Sequence, residues 1–305
     1  MSVQAEWITH RERGSSLLLR VMAFLSLRLG RTLSRSALYG IAAYFFLFAP
    51  SARRHSLRYL RLALGRSPRA RDRFRQILSF ATTIHDRVYL VNGQYETFDI
   101  TLEGEDLMLA RQASGRGALL MGAHMGSFEV MHSLGRRQPG LRVAMAMYEE
   151  NARKINAILA AINPQVQADI VPLGQLDAML NIAQRLERGG FVGVLGDRTL
   201  ADEPVQEVSL LGERACLPTG PMRAAAILRC PVFFMVGLYR GANRYHVVFE
   251  QVADFSSTPA GARSSAVHEA VDRYAAVLDR YCRTDPYNWF NFFDFWRCKP
   301  TTAQS

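Results

Sequence analysis

From about residue 97 onward the chain repeats one pattern: a short unbroken apolar run, then a stretch with helical periodicity. The runs are FDITLEG (98–104), ALLMGA (118–123), RVAMAMY (142–148), ADIVPLG (168–174), FVGVLGD (191–197), PVFFMVGLY (231–239) and RYHVVFE (244–250). Helical periodicity falls at 105–114, 128–136, 149–163, 176–189, 219–230 and 266–283. Runs without polar alternation suit strands covered on both faces, and the intervening helices carry the chain back across the sheet. The pattern therefore predicts an α/β domain over 96–300, with a mostly parallel central sheet flanked by helices. Such a sheet binds ligands beyond the carboxyl ends of its strands.

The first 95 residues follow a different rule. Residues 1–80 hold fifteen arginines, no lysine and three acids, an excess of +12 that accounts for all of the net charge of +10. A segment so basic suits nucleic acid, an anionic membrane surface or an acidic protein. Its apolar content chooses among them. SSLLLRVMAFLSLRLG (15–30) and ALYGIAAYFFLFA (37–49) precede two amphipathic helical patterns at 51–65 and 71–91. Neither uncharged run reaches the roughly 18–20 residues that span a bilayer unaided. Arginines beside apolar helices suit segments lying in, dipping into, or crossing at a tilt through an anionic leaflet. A nucleic-acid arm has no use for Tyr44-Phe45-Phe46-Leu47-Phe48, so no nucleic-acid partner is expected. The reading is an N-terminal, membrane-associating helical region over 1–95; its plainer alternative is an ordinary buried helix at 37–49. Cys216, Cys230, Cys282 and Cys298 form no CxxC pair and have no histidine at zinc spacing, so neither a metal site nor a disulfide framework is expected. No cleavable signal is evident.

The stretch LLMGAHMGSFEVMH (119–132) carries the chemistry. On a continuous helix His124 and Glu129 would diverge by about 140°. A strand ending at His124, a turn through Gly126 and a helix start at Glu129 bring them together instead, with Ser127 as the helix cap. A carboxylate on one imidazole nitrogen fixes the tautomer and leaves the other nitrogen to act as a base. Histidine stands where a serine hydrolase would hold its nucleophile, so the expected reaction is direct attack by a bound alcohol or amine, without an acyl-enzyme. A structural histidine is the plainer reading of this spacing taken alone.

Three blocks give it company. HMGSFE (124–129), LGDRT (195–199) and LLGERACLPTGPMRAAAILRCPVFFM (210–235) resemble the bacterial lipid A biosynthesis acyltransferases, the lauroyl/myristoyl branch of the lysophospholipid acyltransferase superfamily. The last block holds Gly212, Ala215, Pro218, Thr219 and Gly220 before Cys230-Pro231-Val232. The resemblance implies fatty acyl transfer from acyl carrier protein, or from acyl-CoA, to a hydroxyl of a lipid A precursor or related glycolipid at the cytoplasmic face of the inner membrane. It implies no cofactor beyond that co-substrate and no metal. His124 would be the general base and Glu129 its orienting carboxylate. Arg198 would stabilise the thioester oxyanion or hold a phosphate, with Asp197 positioning it; alternatively the two form a local surface ion pair. Gly212, Pro218, Thr219 and Gly220 would bind substrate, backbone amides near 218–220 receiving a phosphate. Other acceptors (a lysophospholipid, an ornithine or glycine lipid, a polyene lipid) and a non-catalytic lipid-binding protein of the same fold remain alternatives.

Overall fold

Three helices open the chain in a computed structural model that describes residues 16–130, 143–164, 169–174, 177–199 and 203–298. They are α1 (Ser16–Phe48), α2 (Pro50–Leu64) and α3 (Ala70–Val91). The two N-terminal apolar stretches form one helix with a kink at Gly30, where φ is +75°. α1 and α2 meet at 95°. Pro50 stands at the first turn of α2, where a missing N–H costs nothing. No single described helix is long and apolar enough to cross a membrane; the bent pair of α1 and α2 meets that test by length and composition.

The rest is β1 (Asp99–Glu103), α4 (Glu105–Ala113), β2 (Leu119–Gly122), β3 (Val143–Tyr148), α5 (Glu149–Ile162), β4 (Ile170–Leu173), α6 (Ala178–Glu187), β5 (Phe191–Leu195), β6 (Val205–Leu210), β7 (Glu213–Pro218), α7 (Gly220–Leu228), β8 (Pro231–Tyr239), β9 (Arg244–Asp254) and α8 (Arg263–Thr284). Seven strands form one sheet in the order β1-β9-β8-β2-β5-β3-β4, parallel throughout except for the β8–β9 pair. The expected mostly parallel sheet flanked by helices is what forms. The helix expected over 128–136 begins at Phe128, and its residues after Val130 lie outside the described ones. β6 and β7 pair as a separate antiparallel hairpin that the sequence reading did not foresee, because their alternating polar residues give no unbroken apolar run.

Side chains alternate across the sheet. Leu119 and Met121 join Val232, Phe234, Tyr274 and Trp289 in one core; Leu120 joins Phe191, Phe233 and Met235 in the other. Tyr59 and Leu60 of α2 enter the first core, and Val88 to Val91 of α3 the second. The change from helices to strands near residue 95 is therefore not a break in packing. Polar ties add to it. Buried Asp86 on α3 accepts two hydrogen bonds from Arg31 of α1, each 2.8 Å, and one from the Tyr245 hydroxyl at 2.8 Å. Arg35 donates to the carbonyl of Ala242 in the β8–β9 turn at 3.0 Å. Contrary to the cysteine reading, Cys216 on β7 and Cys298 are joined as a disulfide, with sulfurs 2.22 Å apart. Cys230 and Cys282 are free and buried.

Candidate active site

β2 and β5 are parallel neighbours with Gly122 opposite Leu195, and the Gly196 N–H donates to the Gly122 carbonyl at 3.0 Å. Continuing that register two residues past each strand sets His124 opposite Asp197. The side chains meet there. His124 Nδ1 lies 2.8 Å from Asp197 Oδ1, and the His124 backbone N–H donates to Oδ2 at 2.9 Å. The Trp289 indole N–H also donates to Oδ2, at 2.9 Å. Asp197 is 2% exposed, whereas the imidazole keeps 31% of its side-chain surface open. Burial alone would raise the Asp197 carboxyl, but His124, the Arg198 charge and the Trp289 N–H overcome it and hold the group well below the usual carboxylate range. An ionised carboxylate at Nδ1 assigns the ring proton to that nitrogen and leaves Nε2 as the basic one.

The turn after His124 needs glycine. Gly126 has φ +65°, and a Cβ there would stand 2.0 Å from the Gly237 carbonyl oxygen of β8. That closeness lets the Ser127 N–H donate to the same carbonyl at 2.7 Å. On the other side the C-terminal segment closes over the turn: Gly126 N–H donates to Asn288 at 2.9 Å, and Phe290 N–H donates to His124 at 2.9 Å. The Ser127 hydroxyl is buried and makes no hydrogen bond, so it is not the expected side-chain cap.

The structure also corrects the partner of the histidine. Among the described residues His124 and Glu129 are not hydrogen-bonded. The Glu129 carboxylate instead faces Arg87 of α3, Oε1 to Nε 2.5 Å, with both side chains largely buried. The physical reason is register: parallel pairing of β2 with β5 delivers Asp197 to Nδ1 directly, while Glu129, in the first turn of the next helix, meets the cation that α3 presents. Among the described residues Asp197 accepts hydrogen bonds from His124 and Trp289 and acts on Arg198 through its charge. The Arg198 guanidinium is not a surface group. It lies 5.1 Å from the centroid of the Phe293 ring, and burial lowers its pKa against the opposing pull of Asp197.

The remaining candidates lie in local structure. Leu211 and Gly212 form the two-residue turn between β6 and β7 with φ of +56° and +82°, the backbone that a tight hairpin of this twist requires. Gly212 is thus a turn residue. Pro218 ends β7, and Thr219 directs both its N–H (3.0 Å) and its hydroxyl (3.2 Å) at the Pro204 carbonyl, so that amide is already used and does not await a phosphate. A Cβ at Gly220 would stand 2.8 Å from Glu203 Oε1. None of these four hydrogen-bonds to His124 or Asp197. Arg87 and Trp289 are the residues that sequence reasoning missed at the site. Only the shared form of the two strand ends, Gly-Ala-His and Leu-Gly-Asp, hinted at the true pair.

A model of the bacterial lipid A biosynthesis acyltransferase family matches residues 5–298. The chain belongs to that family. The match spans the arginine-rich helices, both strand ends of the histidine–aspartate pair and the C-terminal segment that closes over it, so the whole described unit is that of an acyltransferase. No curated protein matches this acyltransferase.

Proposed function

We propose that this acyltransferase moves a fatty acyl group from acyl carrier protein, or from acyl-CoA, to a hydroxyl of a lipid A precursor or related glycolipid, with His124 as general base. One observation carries the reading: an imidazole held at Nδ1 by a buried, ionised Asp197 while its other face stays open at the carboxyl ends of β2 and β5. In the forward step Nε2 takes the proton of the acceptor hydroxyl as its oxygen attacks the thioester carbonyl. The tetrahedral intermediate then collapses, the carbon–sulfur bond breaks, and the imidazolium returns its proton to the leaving thiolate. Asp197 stabilises the imidazolium between these transfers. Glu129 keeps Arg87 fixed beside the turn, and Arg87 and Arg198 supply positive charge for an anionic group of the acceptor or for the oxyanion.

The acceptor side of the reading rests on the N-terminal helix. Phe24, Leu29, Leu33, Tyr44, Leu47 and Phe48 are each more than half exposed. Arg28 lies over the Phe24 ring at 5.2 Å, an arrangement suited to the headgroup zone of an anionic bilayer. We place the enzyme on the inner membrane's cytoplasmic face, where exposed Arg54, Arg61, Arg69 and Arg71 would attract an acidic carrier protein. The test is transfer of a labelled acyl chain from carrier protein, or in a second arm from CoA, to lipids extracted from bacterial membranes. Wild type should label a lipid, and His124→Ala should not while keeping its circular dichroism. No labelled lipid in either arm, or equal labelling by both proteins, overturns the proposal.

A further inference from the structure

Trp289 is the largest fully buried side chain among the described residues, and its surroundings offer an ordinary reason for that. Tyr59, Phe295 and Trp296 pack around it edge-on at 5.0, 4.8 and 6.1 Å. A core aromatic needs no more. Yet its one polar atom is aimed at Asp197, and the backbone on either side is tied to the histidine turn. Asn288 accepts from Gly126, Met125 and Trp289 form a β-bridge, and Phe290 donates to His124. The segment is itself anchored twice more. The Gln76 side chain of α3 donates to the Trp289 carbonyl at 2.7 Å, and the Asn288 carboxamide exchanges two hydrogen bonds with the Tyr239 backbone, 2.7 and 3.1 Å.

We propose that Trp289 is a positioning residue of the catalytic centre, its indole N–H holding Oδ2 of Asp197 so that Oδ1 faces the imidazole. The inference rests on His124 being the base of the reaction described above. Asp197 Oδ2 receives two donors, the His124 backbone N–H and the indole, and Oδ1 receives the imidazole. Three donors on three sides leave the carboxylate one orientation. The indole also draws negative charge toward Oδ2, which tempers the pull of Asp197 on the imidazolium. Without that N–H the carboxylate concentrates its charge on the imidazole, and the ring holds its proton to higher pH. Among the described residues, the charged and titratable groups that act on Asp197 besides His124 are Arg198 next to it and, on α8, buried Cys282 and Tyr274, whose hydroxyl donates to the Gly122 carbonyl at 2.9 Å; the Arg87–Glu129 pair joins α3 to the helix after the turn.

The test needs no acyl donor, so it stands apart from the transferase reading. Diethyl pyrocarbonate modifies the unprotonated imidazole, and fragment mass spectrometry of the full-length protein isolates His124 from the other histidines. Its modification rate against pH has a midpoint, to be compared in wild type, Trp289→Phe, and a protein carrying 3-benzothienylalanine at position 289. The analogue keeps the shape of indole and lacks only the N–H, so it covers the case in which Trp289→Phe does not fold. We expect both replacements to move the midpoint upward by about half a unit or more, and Asp197→Asn to move it downward. A midpoint unchanged or lowered by the benzothienyl replacement overturns the assignment and leaves Trp289 a core side chain.

Discussion

At the scale of single residues, the geometry gives the two candidate carboxylates different partners. Asp197 sits at the imidazole and Glu129 sits at Arg87. Replacing Asp197 by Asn should lower kcat by about 100-fold or more, in the range that general-base assistance supplies, with KM little altered. Because the folded state holds the Asp197 carboxyl below its ordinary value, the group stays ionised throughout the neutral range. The acidic limb of kcat/KM should therefore be a single ionisation, and Asp197→Asn should displace it toward lower pH. Glu129 and Arg87 should behave as one unit. Glu129→Gln and Arg87→Gln are each expected to cost about tenfold in activity or more, and the double variant no more than the worse single one; additive losses would show that the pair does not act together.

Elements are held to each other by a few buried charges, and these make the docking of the N-terminal helices sensitive to pH. For Asp86, burial works to raise its carboxyl, but His85, Arg31 and Tyr245 outweigh it and the pKa is lowered. A carboxyl lowered by folding contributes stability above its unfolded value, and that contribution is lost as pH falls through the folded value. Arg31→Met should cost about 3–5 kcal/mol, since it leaves Asp86 buried without its cation. Urea unfolding at pH 7 measures that loss, and the difference from wild type should shrink as the pH is taken below 4. The start of α3 shows the same device in smaller form. Asp72 accepts from the Arg69 N–H at 2.8 Å, from Arg66 at 2.8 Å and from the Tyr287 hydroxyl at 2.9 Å. Asp72→Asn should cost about 1–2 kcal/mol through the lost cap.

For the molecule as a whole, the proposed contact with lipid rests on the exposed apolar side chains of α1. Changing Phe24 and Phe48 together to Ser should weaken binding to phosphatidylglycerol vesicles by about 100-fold or more, from the roughly 1.5–3 kcal/mol that each large apolar side chain contributes on burial. Co-sedimentation over a salt series tests this, and the charged part of the attraction should fade as salt is raised. The C-terminal segment that closes over the histidine turn is tied to β7 by the Cys216–Cys298 disulfide across 82 residues. Reduction, or Cys298→Ser, should lower stability by about 2–4 kcal/mol, read as an earlier urea midpoint.

The sheet, its direction and the place of the histidine were legible in the sequence because they depend on local patterns. Unbroken apolar runs alternate with helical periodicity, and His124 follows one such run, two residues before a glycine. The tight turn at Gly126 follows from the same local grammar. What the tertiary structure alone decided were the contacts between distant parts of the chain. A carboxylate five residues from the histidine looked like its partner, yet the partner came from 73 residues away, because two parallel strands set their carboxyl ends side by side. Strand order is settled by which apolar faces pack best, a property of the whole sheet. The tryptophan behind that carboxylate, the arginine that captures Glu129 and the disulfide across the C-terminal segment belong to the same class. Each joins elements whose separation in sequence carries no signal of their nearness in space.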